Sequence, residues 1–432
     1  MSLDRTAQNK DCRIKTAPID VSPSRQIAIV MSTQTLRPYT GIRIIDLTRE
    51  LGAYATRLFA DLGAEVIRVE SKQGRADRQN PPGVAGLDPH RFGGVPYAFL
   101  NANKKSLTLD LATAAGQNVL ADLVSHAQIV VYEAGAQADV ALADLLAVPG
   151  ARIVTSVSYF GLTGPYSQYV GTDLIAQSLG GIAWLSGEPD KPPLQLAGQQ
   201  SVFVTSLYAA AATAIALWDL EATGHGHVLD VSAQEAIAHS LQNAIQVYDL
   251  EKRVSSRGGE GVRDATEAAY ACKDGYVFLA APLALPASWN GIIQWMTEEG
   301  FEGVSRLHEA DWADRATRCK AAMRSEFKLL FERFVANKTK QEMRDNALKR
   351  KLVMAPVSKL ADLQDDPQLV YRQYFQQVSM AGLDHPVAFP GAPYRLSEPL
   401  WQIERGAPAL GQDSEAVLAG LAASQKTAGG QA

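Results

Sequence analysis

Cysteine is scarce in this chain of 432 residues: Cys12, Cys272 and Cys319 stand far apart, odd in number and without a Cys-x-x-Cys pair. Disulfide and zinc frameworks therefore find no support in the sequence, and a reducing cytoplasm is the expected compartment. An excess of positive charge is also missing. Lys and Arg number 41 against 46 Asp and Glu, a net charge of −5, so nucleic acid is not an expected partner. No run of about eighteen uncharged apolar residues occurs. The nearest, Val202–Leu217, is Ala-rich, carries Ser and Thr and stops at Trp218-Asp219, which reads as a buried helix of a soluble protein and not as a membrane span. A Gly-x-Gly-x-x-Gly is absent after the first strand, where the chain reads LTRELGAY, and this argues against a Rossmann-type dinucleotide site.

What is present is enough apolar residue, 47% against 20% charged, for two domains with a sizeable core. The β-branched runs GIRIID (41–46) and EVIRVE (65–70) flank a segment with Leu58, Phe59 and Leu62 at helical spacing before Gly63. Strand, helix, strand predicts a parallel βαβ unit. The pattern repeats with strands at 107–109, 129–132 and 152–159 and a helix at 115–125. Such alternation predicts an α/β fold, an open doubly wound parallel sheet whose ligands sit beyond the carboxyl ends of its strands. A smaller α+β domain is expected later in the chain. The expected division is a disordered N-terminal extension over 1–37, with Met31 an alternative start, a large α/β domain over 38–250 and a small domain over 251–360. A Pro-rich return segment over 361–424 then completes the large domain, and 425–432 forms a flexible tail.

Five segments, in order, carry a resemblance: DLTRELGAYATRLFADLGAEVIRVES (46–71), NANKKSLTLDL (101–111), FGLTGPYSQYVGTDLIAQSLGGIAWLSGEPDKPP (160–193), TGHGHVLDVSAQEA (223–236) and MAPVSKLADLQDDPQL (354–369). Together they resemble the family III CoA-transferases, over nearly all of residues 38–420. The resemblance implies a large domain built from both chain ends, a smaller domain inserted late in the sequence, and two chains threaded as interlocked rings in a homodimer. It implies coenzyme A and acyl-CoA as substrate, with no tightly bound cofactor, and a small carboxylic acid as the partner in exchange. In that family an aspartate carboxylate attacks the acyl-CoA, CoA returns to give an aspartyl thioester, and the acceptor carboxylate completes the transfer. A carboxylate suits the task because it is ionised at neutral pH and leaves readily; an amide does neither.

Aligned on Pro192-Pro193 upstream and the Ala-rich helix downstream, the aspartate falls on Gln199, with Gln200 beside it. The nearest carboxylates in sequence, Asp190 and Asp219, are too distant for a one-residue slip to restore it. Asp173 matches a second acidic position of the family, near the thioester; capping the helix that starts at Leu174 is its alternative role. Racemases of the family carry a histidine where Thr172 stands, so racemisation is not the expected reaction. Lys104 and Lys105 match an Asn-Lys-Arg-Ser run near the CoA nucleotide, with a solvated strand edge as the plain alternative, and Lys72 matches a basic residue for its phosphates, one position displaced. The Arg49 to Tyr54 loop, with Arg49 and Leu51, is expected to offer backbone contacts to CoA. Tyr132-Glu133-Ala-Gly-Ala replaces the family's adenine-packing Asn-Phe-x-Pro-Gly. His225 and His227 flank a turn without a third ligand, so no metal is expected. The segment 257–261 is either a glycine-rich lid or a solvated linker. Three functions stay open: CoA transfer without the usual nucleophile, an isomerase, lyase or hydratase using the same pocket with Gln199 as a hydrogen-bond donor to the thioester oxygen, and a catalytically silent subunit of an active paralogue.

Overall fold

Alternate residues of the first strand, β1 (Arg43–Leu47), enter opposite cores: Ile44 joins one apolar cluster, Ile45 and Leu47 the other, all nearly without exposed surface. A strand apolar on both sides belongs in the middle of a sheet covered by helices on both faces. The computed structural model describes residues 37–136, 138–188, 190–241, 244–257 and 263–429. The expected tail before residue 37, nearly all of the 257–261 segment and the last three residues lie outside the described residues.

Six parallel strands run in the order β3-β2-β1-β4-β5-β6, with β2 at Glu65–Glu70, β3 at Lys105–Thr108, β4 at Ile129–Glu133, β5 at Ile153–Ser158 and β6 at His227–Ser232. Ile45 of β1 lies between Ile67 of β2 and Val130 of β4. This is the doubly wound α/β sheet expected from the alternating pattern. Its strand order reverses between β1 and β4, which places the crevice for ligands at the exits of those two strands.

On one face Phe59 from the helix Ala53–Asp61 and Val202, Ala209 and Leu217 from the helix Gln200–Thr223 pack on Ile44, Val66, Ile129 and Val157. On the other, Leu120, Leu123 and Val124 from the helix Ala114–Ser125 meet Ile45, Val69, Leu107 and Val130. Burying each such aliphatic side chain contributes roughly 1.5–3 kcal/mol.

The helix Gln200–Thr223 is long and apolar enough to cross a membrane. Its inner face is bound into the domain: the hydroxyls of Thr155 and Thr213 share a hydrogen bond of 2.7 Å, and the Ser206 hydroxyl donates to the Leu51 carbonyl at 2.8 Å. The expectation of a buried helix holds for that face alone. Leu207 is half exposed, while Ile215 and Trp218 leave 72% and 77% of their surface open.

Residues 265–354 hold a separate core. Three antiparallel strands, β7 (Ala268–Cys272), β8 (Gly275–Ala280) and β9 (Val353–Val357), pack Tyr270 and Leu279 against Trp295, Trp312, Phe327 and Phe331. A capping box at Thr339 and Glu342 starts the helix Lys340–Arg350, satisfying two amides that the first helical turn leaves free. Beyond it, the hairpin of β10 (Phe375–Val378) and β11 (Val387–Pro390) returns the chain to the large sheet, where Val378 and Phe389 pack on Ala98 and Ala102. The Asp413 carboxylate accepts from the Ser106 amide at 2.8 Å, and Val417 and Leu421 enter the core beside β3. Both ends of the described chain thus build the larger body.

Candidate active site

The exit of β1 is fixed from beneath. Asp46, fully buried, accepts from the Thr48 amide and hydroxyl, the Thr56 hydroxyl and the Lys104 ammonium at 2.6–2.9 Å. Burial alone would push the Asp46 carboxyl up; the charges of Lys104 and Arg68 and the hydrogen bonds outweigh it and hold it down to about 2. The Lys104 ammonium also donates to the Ala53 carbonyl and to Asn101 Oδ1, each at 2.8 Å. Its three donors are spent inside the fold, so the expected contact of Lys104 with CoA gives way to a structural ion pair under the loop.

From the other side of the crevice, Glu133 at the end of β4 clamps the same loop. Its Oε2 accepts from the Arg49 amide at 2.9 Å and the Leu51 amide at 3.3 Å, and its Oε1 from Arg49 Nε at 3.0 Å. The Arg49 and Leu51 amides, expected to face CoA, are turned to Glu133. Glu133 thus bridges the two strand exits. Arg68 Nη2 donates to both Asp77 carboxylate oxygens, each at 2.8 Å.

Between these pairs lies a cavity of about 180 Å³, lined by Glu50, Asp77, Asn80, Glu133, Gly135, Tyr159, Tyr169 and neighbours. Gly171 is obligatory at its rim, because a Cβ there would stand 2.1 Å from the Tyr159 ring. Glu50 is the lining carboxylate with a different set of partners: Gln199 Nε2 donates to its Oε1 at 2.6 Å and Asn80 Nδ2 to the same oxygen at 3.0 Å. Burial raises the Glu50 carboxyl; the two amides oppose this, and the charges of Asp77 and Glu133 add to it.

Gln199 precedes the helix Gln200–Thr223 with φ +52°, a left-handed conformation that costs a non-glycine residue energy, and it follows Gly198 at φ +84°. The elbow turns the Gln199 side chain away from its own helix and toward Glu50. The helix start is capped by another segment. Asp173 Oδ1 accepts from the Ser201 amide at 2.8 Å and hydroxyl at 2.7 Å, while Oδ2 accepts from Gln177 and Gln195 at 2.8 and 2.7 Å. The helix Asp173–Leu179 is capped by Thr172, whose hydroxyl accepts from the Ile175 amide. Asp173 therefore does not cap the helix that follows it, its alternative role, but the long helix that Gln199 precedes; nor is Asp173, expected near the thioester, among the cavity's lining residues.

The remaining lysines are placed elsewhere. Lys105 begins β3, at the amino end of the sheet and opposite the crevice, and pairs with Glu65 at 2.5 Å. A strand runs one way, so its first residue cannot reach ligands at its exit. Lys72 follows β2 on the exit side, solvent-exposed, and is not among the cavity's lining residues. His227 pairs with Asp219 at 2.6 Å. The residues that reading the sequence missed are Glu50 and Asn80: Glu50 lies inside the loop singled out for its backbone, yet its contact is with a residue 149 positions away.

CoA-transferase family III matches residues 39–414. The chain belongs to this family. Among curated relatives, the family III chain is similar to the BbsE subunit of succinyl-CoA:(R)-benzylsuccinate CoA-transferase of Thauera aromatica, with 34% identity over 88% of this chain and 93% of that protein. It is 29% identical to succinyl-CoA:mesaconate CoA-transferase of Haloarcula hispanica, over 83% and 89%. A solved CaiB/BaiF family protein of Brucella suis superposes with a TM-score of 0.79 at 25% identity, covering 89% of this chain and 99% of that one. The protein is thus a CoA-transferase enzyme, acting between acyl-CoA and carboxylic acids.

Proposed function

We propose that this family III transferase moves CoA from succinyl-CoA to a second carboxylic acid, at the cavity between the exits of β1 and β4, with Gln199 in the place of the family's nucleophilic aspartate. The observation that carries the reading is the Gln199 side chain: from the elbow before the long helix it delivers an amide, not a carboxylate, 2.6 Å from Glu50 at the cavity wall. The donor follows from chemistry that the relatives share, since those of Thauera, Haloarcula and Chloroflexus are named for succinyl-CoA. CoA enters as a substrate and leaves in the product, and no resident cofactor is needed for exchange between acids of similar thioester energy. The compartment we assign is the cytoplasm, on the scarcity of cysteine; Cys272 and Cys319 are free thiols.

The assembly proposed is a homodimer, supported by the open apolar face of the helix Gln200–Thr223, with Leu207, Tyr208, Ile215 and Trp218. A second reading, a pair with a different transferase chain, is favoured by the relatives named as subunits, BbsE and the alpha and beta subunits of succinyl-CoA:L-malate CoA-transferase.

The test is transfer itself. Purified protein is incubated with succinyl-CoA and a panel of dicarboxylic and aryl-substituted acids, and new CoA thioesters are read by mass spectrometry. Formation of an acceptor thioester is expected; no thioester from any acid, by the protein alone or with a transferase chain encoded beside it, would sink the reading.

A further inference from the structure

Three carboxylates line the cavity, and their partners separate them. Glu133 is held by the Arg49 guanidinium and two backbone amides, and Asp77 by Arg68 Nη2, which donates to both its oxygens. A carboxylate bound to a guanidinium has its charge neutralised and its lone pairs engaged, which makes it a poor nucleophile. The hydrogen bonds to Glu50 come instead from two neutral amides, and both reach one oxygen, Oε1. One of those amides belongs to Gln199, the residue at the position of the missing aspartate. The cavity has therefore not lost a carboxylate at hydrogen-bond distance from that position: the carboxylate is on the β1 exit loop and the amide on the helix elbow.

We propose that Glu50 is the acyl-accepting nucleophile of this chain. The proposal rests on the transfer reading above. A Glu50 oxygen attacks the thioester carbonyl carbon, the C–S bond breaks, and CoA leaves as thiolate, giving an acyl–glutamyl anhydride. The thiolate attacks the glutamyl carbonyl carbon, and the donor acid leaves as a carboxylate carrying one former Glu50 oxygen. The acceptor carboxylate then attacks the glutamyl thioester and expels CoA. The thiolate attacks the acceptor's carbonyl carbon, and the C–O bond on that side breaks. Glu50 returns as a carboxylate with one oxygen from the acceptor, and no proton, electron or water is consumed. Burial, which raises the Glu50 carboxyl, also makes its anion more nucleophilic once formed. Gln199 and Asn80 position that anion and are not themselves acylated.

The full-length protein is incubated with succinyl-CoA and succinate labelled in its carboxylates with ¹⁸O, and the peptide containing Glu50 is sequenced by mass spectrometry. A parallel sample receives hydroxylamine, which converts a glutamyl thioester to the hydroxamate. The expected result is ¹⁸O in the Glu50 side chain and a hydroxamate there, with exchange of label into succinyl-CoA. Glu50→Gln removes both marks and lowers exchange by roughly 10³-fold or more while CoA still binds; Glu50→Asp retains the marks at reduced rate. Exchange without label on Glu50, or label on another carboxylate, overturns the assignment and leaves the transfer reading standing. Absence of exchange in the protein alone overturns the self-sufficient nucleophile, and the test with a second chain then decides the transfer reading separately.

Discussion

Asp173 and Ser201 join two helices at their amino ends: the Asp173 carboxylate accepts both the backbone amide and the hydroxyl of Ser201, at 2.8 and 2.7 Å. Since the first turn of a helix leaves its amides without intrahelical acceptors, an anion supplied from elsewhere stabilises that end doubly, by hydrogen bonding and against the helix dipole. The same carboxylate holds Gln177 and Gln195. Asp173→Ala leaves four donors without their acceptor and is expected to cost about 2–4 kcal/mol. Asp173→Asn, which keeps one acceptor oxygen, should cost about half as much. Urea unfolding measures both, and an alanine variant within about 0.5 kcal/mol of the parent would refute this role.

The contact of Gln199 with Glu50 predicts a shift in pH dependence. Burial raises the Glu50 carboxyl and the Gln199 hydrogen bond lowers it, so removing the amide moves it further up. If the ionised form attacks, the rate rises with pH through the Glu50 pKa, and Gln199→Ala must displace that acidic limb to higher pH. On that limb only the ionised fraction reacts, so exchange by Gln199→Ala is slower there than in the parent, by up to roughly tenfold for a lost hydrogen bond of about 1–1.5 kcal/mol, while the plateau at higher pH is not slowed by this effect. A pH–rate profile of succinyl-CoA and succinate exchange gives both numbers. A limb that stays in place would remove Gln199 from any influence on the reacting carboxylate.

Adjacent lysines should behave differently. Lys104→Met strands Asp46 as a buried anion and is expected to destabilise by about 3–5 kcal/mol. Lys105→Ala loses a half-exposed pair with Glu65 and should cost less than about 1 kcal/mol. Neither change is expected to alter CoA affinity in the protein that remains folded by more than about twofold, as measured by calorimetry. A tenfold loss of affinity in Lys105→Ala would restore it to the nucleotide site.

These lysines show where reading the sequence stops. A Lys-Lys pair before a strand is compatible with a solvated edge or with a phosphate contact; what buries Lys104 is the joint presence of Asp46, Ala53 and Asn101, brought together by the sheet. The sheet itself was legible, because strands buried on both faces are rich in β-branched residues, as in EVIRVE, and their alternation with helical periodicity allows few architectures. The helix Gln200–Thr223 was legible as a helix, but its even spread of alanine gives no sign of which face is open. Gln199 could be singled out only through the resemblance to a family. Glu50 could not, since its meaning lies in a neighbour contributed by a distant elbow.

Acid should act on this fold in two opposite steps. Burial raises the Asp61 carboxyl to about 6 against the opposing charge of Arg57, so the folded state binds its proton more tightly than the unfolded chain. Stability therefore gains as pH falls from about 7 through 6. Asp46 and Glu70 are shifted the other way, both to about 2, burial being outweighed by Lys104 and Arg68 in one case and by Arg68 and Arg78 in the other. Their contribution, about 2–3 kcal/mol each, is complete above their unfolded values and is lost as pH falls from about 4.5 to 2. Urea midpoints at closely spaced pH values should pass through a maximum near pH 5, and Asp61→Asn should abolish the rise on its neutral side while leaving the acidic collapse.

The open face of the long helix makes a prediction about assembly that does not depend on the chemistry. Ile215 and Trp218, separated by one helical turn, present large apolar surfaces to solvent from a helix whose other side is fixed in the core. Exposed side chains of this size on one stripe are covered in the working protein if the proposed dimer forms there. Ile215→Asp with Trp218→Ala leaves the inner face untouched, so each chain keeps its fold and its far-ultraviolet circular dichroism. Light scattering after size exclusion should then show the mass of one chain, 46.5 kDa, where the parent shows twice that. Were the doubly substituted protein still dimeric at micromolar concentration, the chains would be held by another surface or by the interlocked threading, which surface substitutions cannot undo.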